Sequence, residues 1–152
     1  MQTFLPYPDI FRCAKVLDYK RLGKQRVEAW QIYQVIQKTP NGPNKKVAWS
    51  NHPAVNMWRG YEDFLLRYGA AMCLEWKNRG YKDNMLSKFW NNINFHELIK
   101  LPIWLGDDYL HKSHQSNLLR KDYNYYKQFN WNVPINLEYF WPTKEIKYAK
   151  KL

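Results

Sequence analysis

A chain of 152 residues is long enough for one domain with its own core, and 45% hydrophobic residues exclude a disordered polymer. Lys and Arg total 24 against 13 Asp and Glu, a net charge of +11 that points to a polyanionic partner, because each phosphate neutralised releases counterions and strengthens binding. No apolar run reaches the roughly 18 residues of a membrane span, and no basic amphipathic stretch free of acids argues for a membrane surface.

The elements follow in chain order. The first eight residues read as an extended arm, because Pro6 and Pro8 block a helix. A first helix is expected from Ile10 to Gln37, then a turn-rich loop over Thr39-Pro40-Asn41-Gly42-Pro43-Asn44. The second helix has the clearest signal. Ser50 or Asn51 can cap it, Pro53 suits its first turn, and apolar residues recur at helical spacing at Ala54, Met57, Trp58, Tyr61, Phe64, Leu65, Tyr68 and Met72. Gly80 is its stop, while Gly60 and Gly69 inside it weaken the helix or mark close packing. A fainter helical piece covers Met85 to Lys100, and Leu101 to Gly106 is a turn with an apolar plug. A last helix is expected from Asp107 or Asp108 to about Phe129, followed by an irregular tail, Trp131 to Leu152, carrying Pro134 and Pro142. No strand pair is convincing. The expectation is a single compact all-α domain over residues 1–152, a monomer, with an extended N-terminal arm and an irregular C-terminal tail.

Three segments can carry chemistry. In the first, Lys20 to Glu28, a spacing of about 100° per residue sets Lys20, Arg21, Lys24, Glu28 and Gln31 on one helix face. The plain reading is a surface salt-bridge partner among cations. The functional one has the cations seat phosphates while Glu28 protonates a base or stabilises a cationic sugar. Arg26 falls among the apolar positions of the wheel, so it either joins the phosphate contacts or pairs with an acid in the core. In the second, Trp49-Ser50-Asn51-His52-Pro53, His52 enters a helix N-terminus, where it contacts phosphate, carries a proton or merely caps the helix.

In the third, His111 to Lys121, two His at helical spacing without a nearby carboxylate or Cys cluster make a poor zinc site. Phosphate binding by Lys112, Arg120 and Lys121, with Ser and Asn as neutral donors, fits better. The Tyr residues that follow, among the 18% of aromatics, offer stacking faces or core. Cys13 and Cys73 stand far apart and read as buried thiols of a reducing compartment, and no signal-peptide layout opens the chain, so action inside a cell is expected. Glycine-rich nucleotide, nucleophile-elbow and zinc-protease motifs are lacking. No metal or cofactor is expected.

These residues resemble the pyrimidine-dimer DNA glycosylase family, the phage endonuclease V type, and more closely an uncharacterised branch of it. The resemblance rests on Met1 to Pro8, Arg21 to Trp30, Asn51 to Val55, Glu75 to Tyr81, Leu101 to Gly106 and Ser113 to Lys121. It implies base flipping in double-stranded DNA carrying a damaged or modified base, cleavage of the glycosidic bond, then strand scission at the abasic site. In the family the N-terminal α-amine attacks the sugar C1′ and forms an imine, assisted by a first-helix glutamate. An α-amino group titrates at about pH 8, so part of it is neutral and nucleophilic near pH 7.

Carried over by that resemblance, the catalytic group is Met1, Gln2 and Glu28. The DNA-binding residues are Lys20, Arg21, Lys24, Arg26, His52, His114, Asn117, Arg120 and Lys121. The family exposes a small second residue once Met is removed. Gln2 is large, so Met1 is expected to stay and to carry the amine one residue further out. Either the geometry adjusts or water replaces the amine. A second alignment places Gly23 at the glutamate position. The competing readings of the whole chain are a non-catalytic basic nucleic-acid-binding protein and an RNA-binding protein.

Overall fold

The computed structural model describes residues 1–142. Among them are seven α-helices and no strand: α1 Ile10–Val16, α2 Tyr19–Lys38, α3 Pro53–Asn56, α4 Glu62–Asn78, α5 Leu86–Trp90, α6 Asp108–Lys121 and α7 Tyr123–Tyr126, the last followed by a 3-10 turn, Lys127–Phe129. No helix among the described residues is long and apolar enough to cross a membrane.

Three of the expected helices are interrupted, each by a residue whose chemistry competes with helix. The expected run from Ile10 to Gln37 divides at Leu17 and Asp18. Asp18 takes an extended conformation and its carboxylate accepts the Arg21 N–H, starting α2 afresh. Its backbone N–H donates to the Tyr126 hydroxyl, which donates back to the carboxylate. The expected helix from Pro53 to Arg79 divides at Gly60, whose φ of +87° lies in the left-handed region. The last helix stops at Lys121, because Asp122 turns extended and its side chain caps α7 instead. The piece over Met85 to Lys100 shrinks to the five residues of α5, and the chain from Ile93 to Asp107 runs as turns and irregular backbone.

Other signals hold. The last helix begins where expected, with Asp107 as its cap, and Asp9 caps α1. Gly80, at φ +94°, follows the end of α4. Gly69 marks a close approach: a Cβ there would stand 2.2 Å from Phe89 of α5, so only glycine lets α5 lie on α4. The tail is irregular as far as Pro142 yet anchored, with Phe140 1% exposed in the core; its continuation to Leu152 lies outside the described residues.

The core centres on Trp58, which contacts Phe64, Tyr68 and Trp104 within ring-centroid distances of 5.1–6.0 Å. Both indoles find acceptors, Trp58 on the Thr3 hydroxyl and Trp104 on the Met57 carbonyl. The extended arm lies inside this framework rather than on it: Thr3, Phe4 and Leu5 are all buried. A buried extended strand has no neighbouring ladder, so its peptide groups need side-chain partners, and α2, α4, α6 and the tail supply them.

Candidate active site at the N-terminal arm

The arm is bonded residue by residue. The Gln2 carbonyl accepts from Gln25 Nε2 at 2.9 Å, and the Thr3 carbonyl accepts from the Tyr139 hydroxyl at 2.6 Å. The Phe4 N–H donates to the Tyr68 hydroxyl and the Gln25 amide oxygen, at 3.0 and 3.3 Å. The Leu5 N–H donates to His114 Nδ1 at 2.9 Å, and the Leu5 carbonyl accepts from His111 Nδ1 at 2.7 Å. Gln115 Nε2 donates to the Pro6 carbonyl at 2.8 Å.

This clamp delivers the start of the chain to Glu28. The Gln2 backbone N–H donates to Glu28 Oε2 at 3.1 Å. Gln25 Nε2 bridges to the same oxygen at 3.3 Å, and Lys24 Nζ stands 3.5 Å from Oε1. Glu28 is 8% exposed, yet with Met1 it lines an open cleft of about 360 Å³ whose other walls are Gln31, Gln34, Val35, Lys38 and Trp49. Met1 is one residue, about 3.8 Å of chain, beyond the amide that touches Glu28. A carboxylate so placed can accept a proton from the chain's first amine or face a sugar that gains positive charge. Gly23 faces elsewhere: a Cβ on it would meet the Trp76 ring of α4 at 2.9 Å.

The Gln2 side chain is fixed too, its Nε2 donating to Asn117 Oδ1 at 3.0 Å. Asn117 thus orients residue 2. His52 caps α3, its Nδ1 accepting the Ala54 N–H at 3.0 Å. That bond leaves the ring proton on Nε2, making His52 a donor. Burial, and then the N-terminal ammonium, lower its pKa, while Glu28 opposes both. His52, Glu28 and the chain start therefore share one electrostatic neighbourhood.

The predicted cations divide. Lys121, at the end of α6, has its pKa lowered by burial first, then by the fields of Arg21, Lys24 and Arg120, against Glu28. Lys121 therefore feels cations of both α2 and α6 as well as Glu28, while Lys24 is the cation in contact with that carboxylate and Arg21 pairs with Asp18 at 3.1 Å. Arg120 is itself held, its Nη1 donating to Ser116 Oγ and the Ile135 carbonyl at 2.9 and 2.6 Å. Lys20 is exposed near the Tyr19 ring. Arg26 is 8% exposed, its Nε donates to Asp83 Oδ1 at 2.8 Å, and its guanidinium lies over Trp76. It is a core ion pair, not a free phosphate contact. His114 has no exposed surface and, between the Leu5 N–H and the Phe140 carbonyl, has no ring nitrogen left for DNA. Lys112 pairs with Asp108 about 13 Å of helix from Lys121.

Sequence reasoning passed over Gln25, Tyr68 and Tyr139, the residues that grip the arm. Gln25 precedes Glu28 by one helical turn on the polar side of α2, where a glutamine reads as solvated; only the arm that buries it reveals its use. No group of three or more potential metal ligands occurs among the described residues.

Neither a curated protein nor a solved structure matches the chain. The family model described as pyrimidine dimer DNA glycosylase matches residues 1–89, which span the arm, α1 to α4, Glu28, and α5 as far as Phe89. The chain belongs to the pyrimidine dimer DNA glycosylase family.

Proposed function

We propose that this glycosylase removes a damaged or modified pyrimidine from duplex DNA with the N-terminal amine as nucleophile and then cleaves the abasic strand. The observation that supports the reading is the bond from the residue 2 amide to Glu28, one residue from the first amine, on a carboxylate that also pairs with Lys24.

In this reading the lone pair of the neutral Met1 amine attacks C1′ of the deoxyribose. The glycosidic bond breaks and its electron pair leaves with the base, which takes up a proton. Glu28 balances the positive charge as it develops on the sugar, then receives the proton shed by the amine and passes it to the departing base. Opening of the sugar ring gives the imine. Loss of a C2′ proton then expels the 3′ phosphate by β-elimination. Arg21, Lys24, Arg120 and Lys121 hold the phosphates on either side, and His52 offers its Nε2–H to the same neighbourhood. The protein works as a monomer in this scheme, needing no second copy to complete the cleft.

The test is borohydride trapping on duplexes carrying a pyrimidine dimer, oxidised or alkylated pyrimidines, or an abasic site. A covalent adduct whose tryptic peptide begins at Met1 is expected. Glu28→Gln should lower base release by about 10²–10⁴-fold with duplex affinity kept within about twofold. Base release without any adduct would assign the attack to water rather than the amine. No release and no adduct on the whole panel, with DNA binding intact, would leave a non-catalytic binding protein.

A further inference from the structure

Trp49 stands in the cleft beside Met1 and Glu28 and is 57% exposed. Its φ is +69°, a left-handed conformation that a bulky side chain adopts only where its surroundings impose it. The surroundings are rigid. Arg59 reaches across from the turn after α3, its Nη1 donating to the Thr39 carbonyl and its Nη2 to the Ser50 carbonyl, both at 2.7 Å. Ser50 Oγ donates to the Asn44 carbonyl at 2.7 Å and accepts the Asn44 N–H at 2.9 Å. The loop is therefore clamped on both sides of an indole that it leaves in water. Burial does not explain this, because among the described residues the only ring contact of Trp49 is an edge-on one with His52, at 5.6 Å.

We infer that Trp49 is a stacking platform for an extrahelical nucleobase, with the amides of Gln31 and Gln34 available to the edge of that base. The inference rests on the glycosylase reading and adds the binding determinant to it. The cleft, about 360 Å³, lies at the small end of the range for organic ligands, about 300–1,000 Å³, and suits one planar ring system better than an extended substrate. Its chemistry agrees. One aromatic face accepts any base, and two neutral amides each offer a donor and an acceptor to its edge. The same cleft holds Glu28, so a base on Trp49 lies next to the group that acts on its sugar.

The experiment uses the full chain and a duplex with 5-iodouracil opposite a reduced abasic analogue, compared with 5-iodouracil in a normal pair. Near-ultraviolet excitation should cross-link the first duplex to Trp49 and the second far less. Trp49→Ala should weaken binding of the first duplex by about 5- to 150-fold, the range of one lost base stack. Affinity for the normal duplex should stay within about twofold, and Trp49→Phe should restore most of the loss. Circular dichroism checks that the variants fold. Cross-links mapping elsewhere, no cross-link, or equal weakening on both duplexes would each overturn the platform. The outcome is separate from the fate of the glycosylase reading: cross-linking at Trp49 with no base release or borohydride adduct keeps the platform and removes the chemistry, while adducts with a silent Trp49 do the reverse.

Discussion

Lys24 and Arg26 stand two residues apart on α2, a turn of about 200° that sends their side chains to opposite sides of the helix. Lys24 reaches Glu28 at the cleft, whereas Arg26 goes into the core toward Asp83. Burial works to raise the Asp83 pKa, but the Leu86 N–H and the Arg26 guanidinium outweigh it and hold the carboxyl below its ordinary range. The same carboxylate caps the start of α5, accepting the Met85 and Leu86 N–H groups. Arg26 thus ties α2 to α5. Arg26→Met leaves a buried carboxylate without its cation, which costs about 3–5 kcal/mol. Adding Asp83→Asn should recover part of it. Urea unfolding of the single and double variants measures both, and the salt dependence of DNA binding should not move with either. A shallower salt dependence in Arg26→Met would return this residue to the interface.

At the scale of elements, the N-terminal arm is held by two imidazoles whose tautomers the network sets. His111 donates from Nδ1 to Leu5 and accepts the Gly106 N–H on Nε2, while His114 accepts the Leu5 N–H on Nδ1 and faces the Phe140 carbonyl with Nε2. Each ring needs one unprotonated nitrogen. Burial pushes the His114 pKa down to about 3, and His111 shifts the same way, chiefly by burial and against the Leu5 carbonyl, Asp107 and Asp108. Unfolded histidines take up a proton below about pH 6.5, whereas folded His114 resists until about 3. The unfolded state binds more protons across that window, so stability falls as pH drops. Asp18 and Asp83, both lowered, lose their contributions only below about pH 4. Chemical denaturation between pH 7 and 4 should show a decline that His114→Gln flattens. An unchanged slope in that variant would show that His114 is not its source.

The same elements show where sequence is informative. The start at Asp107 and the stop at Gly80 were legible because they act through bonds to their own helix. The breaks at Asp18 and Asp122 were not, since an aspartate inside a helical pattern is a weak local signal until a distant partner such as Tyr126 favours the break. In the site, Glu28 stood out as the one carboxylate among cations. The grip of Gln25, Tyr68 and His114 on the arm joins residues 21 to 109 positions apart, beyond any periodicity.

For the whole molecule, the net charge of +11 has a focus. The fields of Arg21 and Lys24 from α2 reach Lys121, which with Arg120 lies at the C-terminal end of α6, where the helix dipole also favours cations. Each phosphate contact contributes about −0.9 to the slope of log affinity against log salt. Single Gln substitutions at Arg21, Lys24 or Lys121 should therefore each reduce that slope by about 0.9, measured by fluorescence anisotropy on undamaged duplex. Lys112→Gln, about 13 Å of helix away from Lys121, should leave it unchanged. Equal effects at all four positions would mean that binding follows total charge, with no defined phosphate track.

The clamp on the arm also orders events in time. A ribosome releases Leu5 early, but His114, which receives its amide, follows 109 residues later. Until α6 has been made and docked, the arm has its partners on α2 and α4, Gln25, Glu28 and Tyr68, but lacks His111, His114, Gln115 and Asn117. Nascent or truncated chains that lack α6 would carry the whole of α2 and its glutamate with the arm held by only part of its bonds. The neighbourhood of Glu28 is thereby completed late in synthesis, when the last long helix among the described residues closes over the first residues.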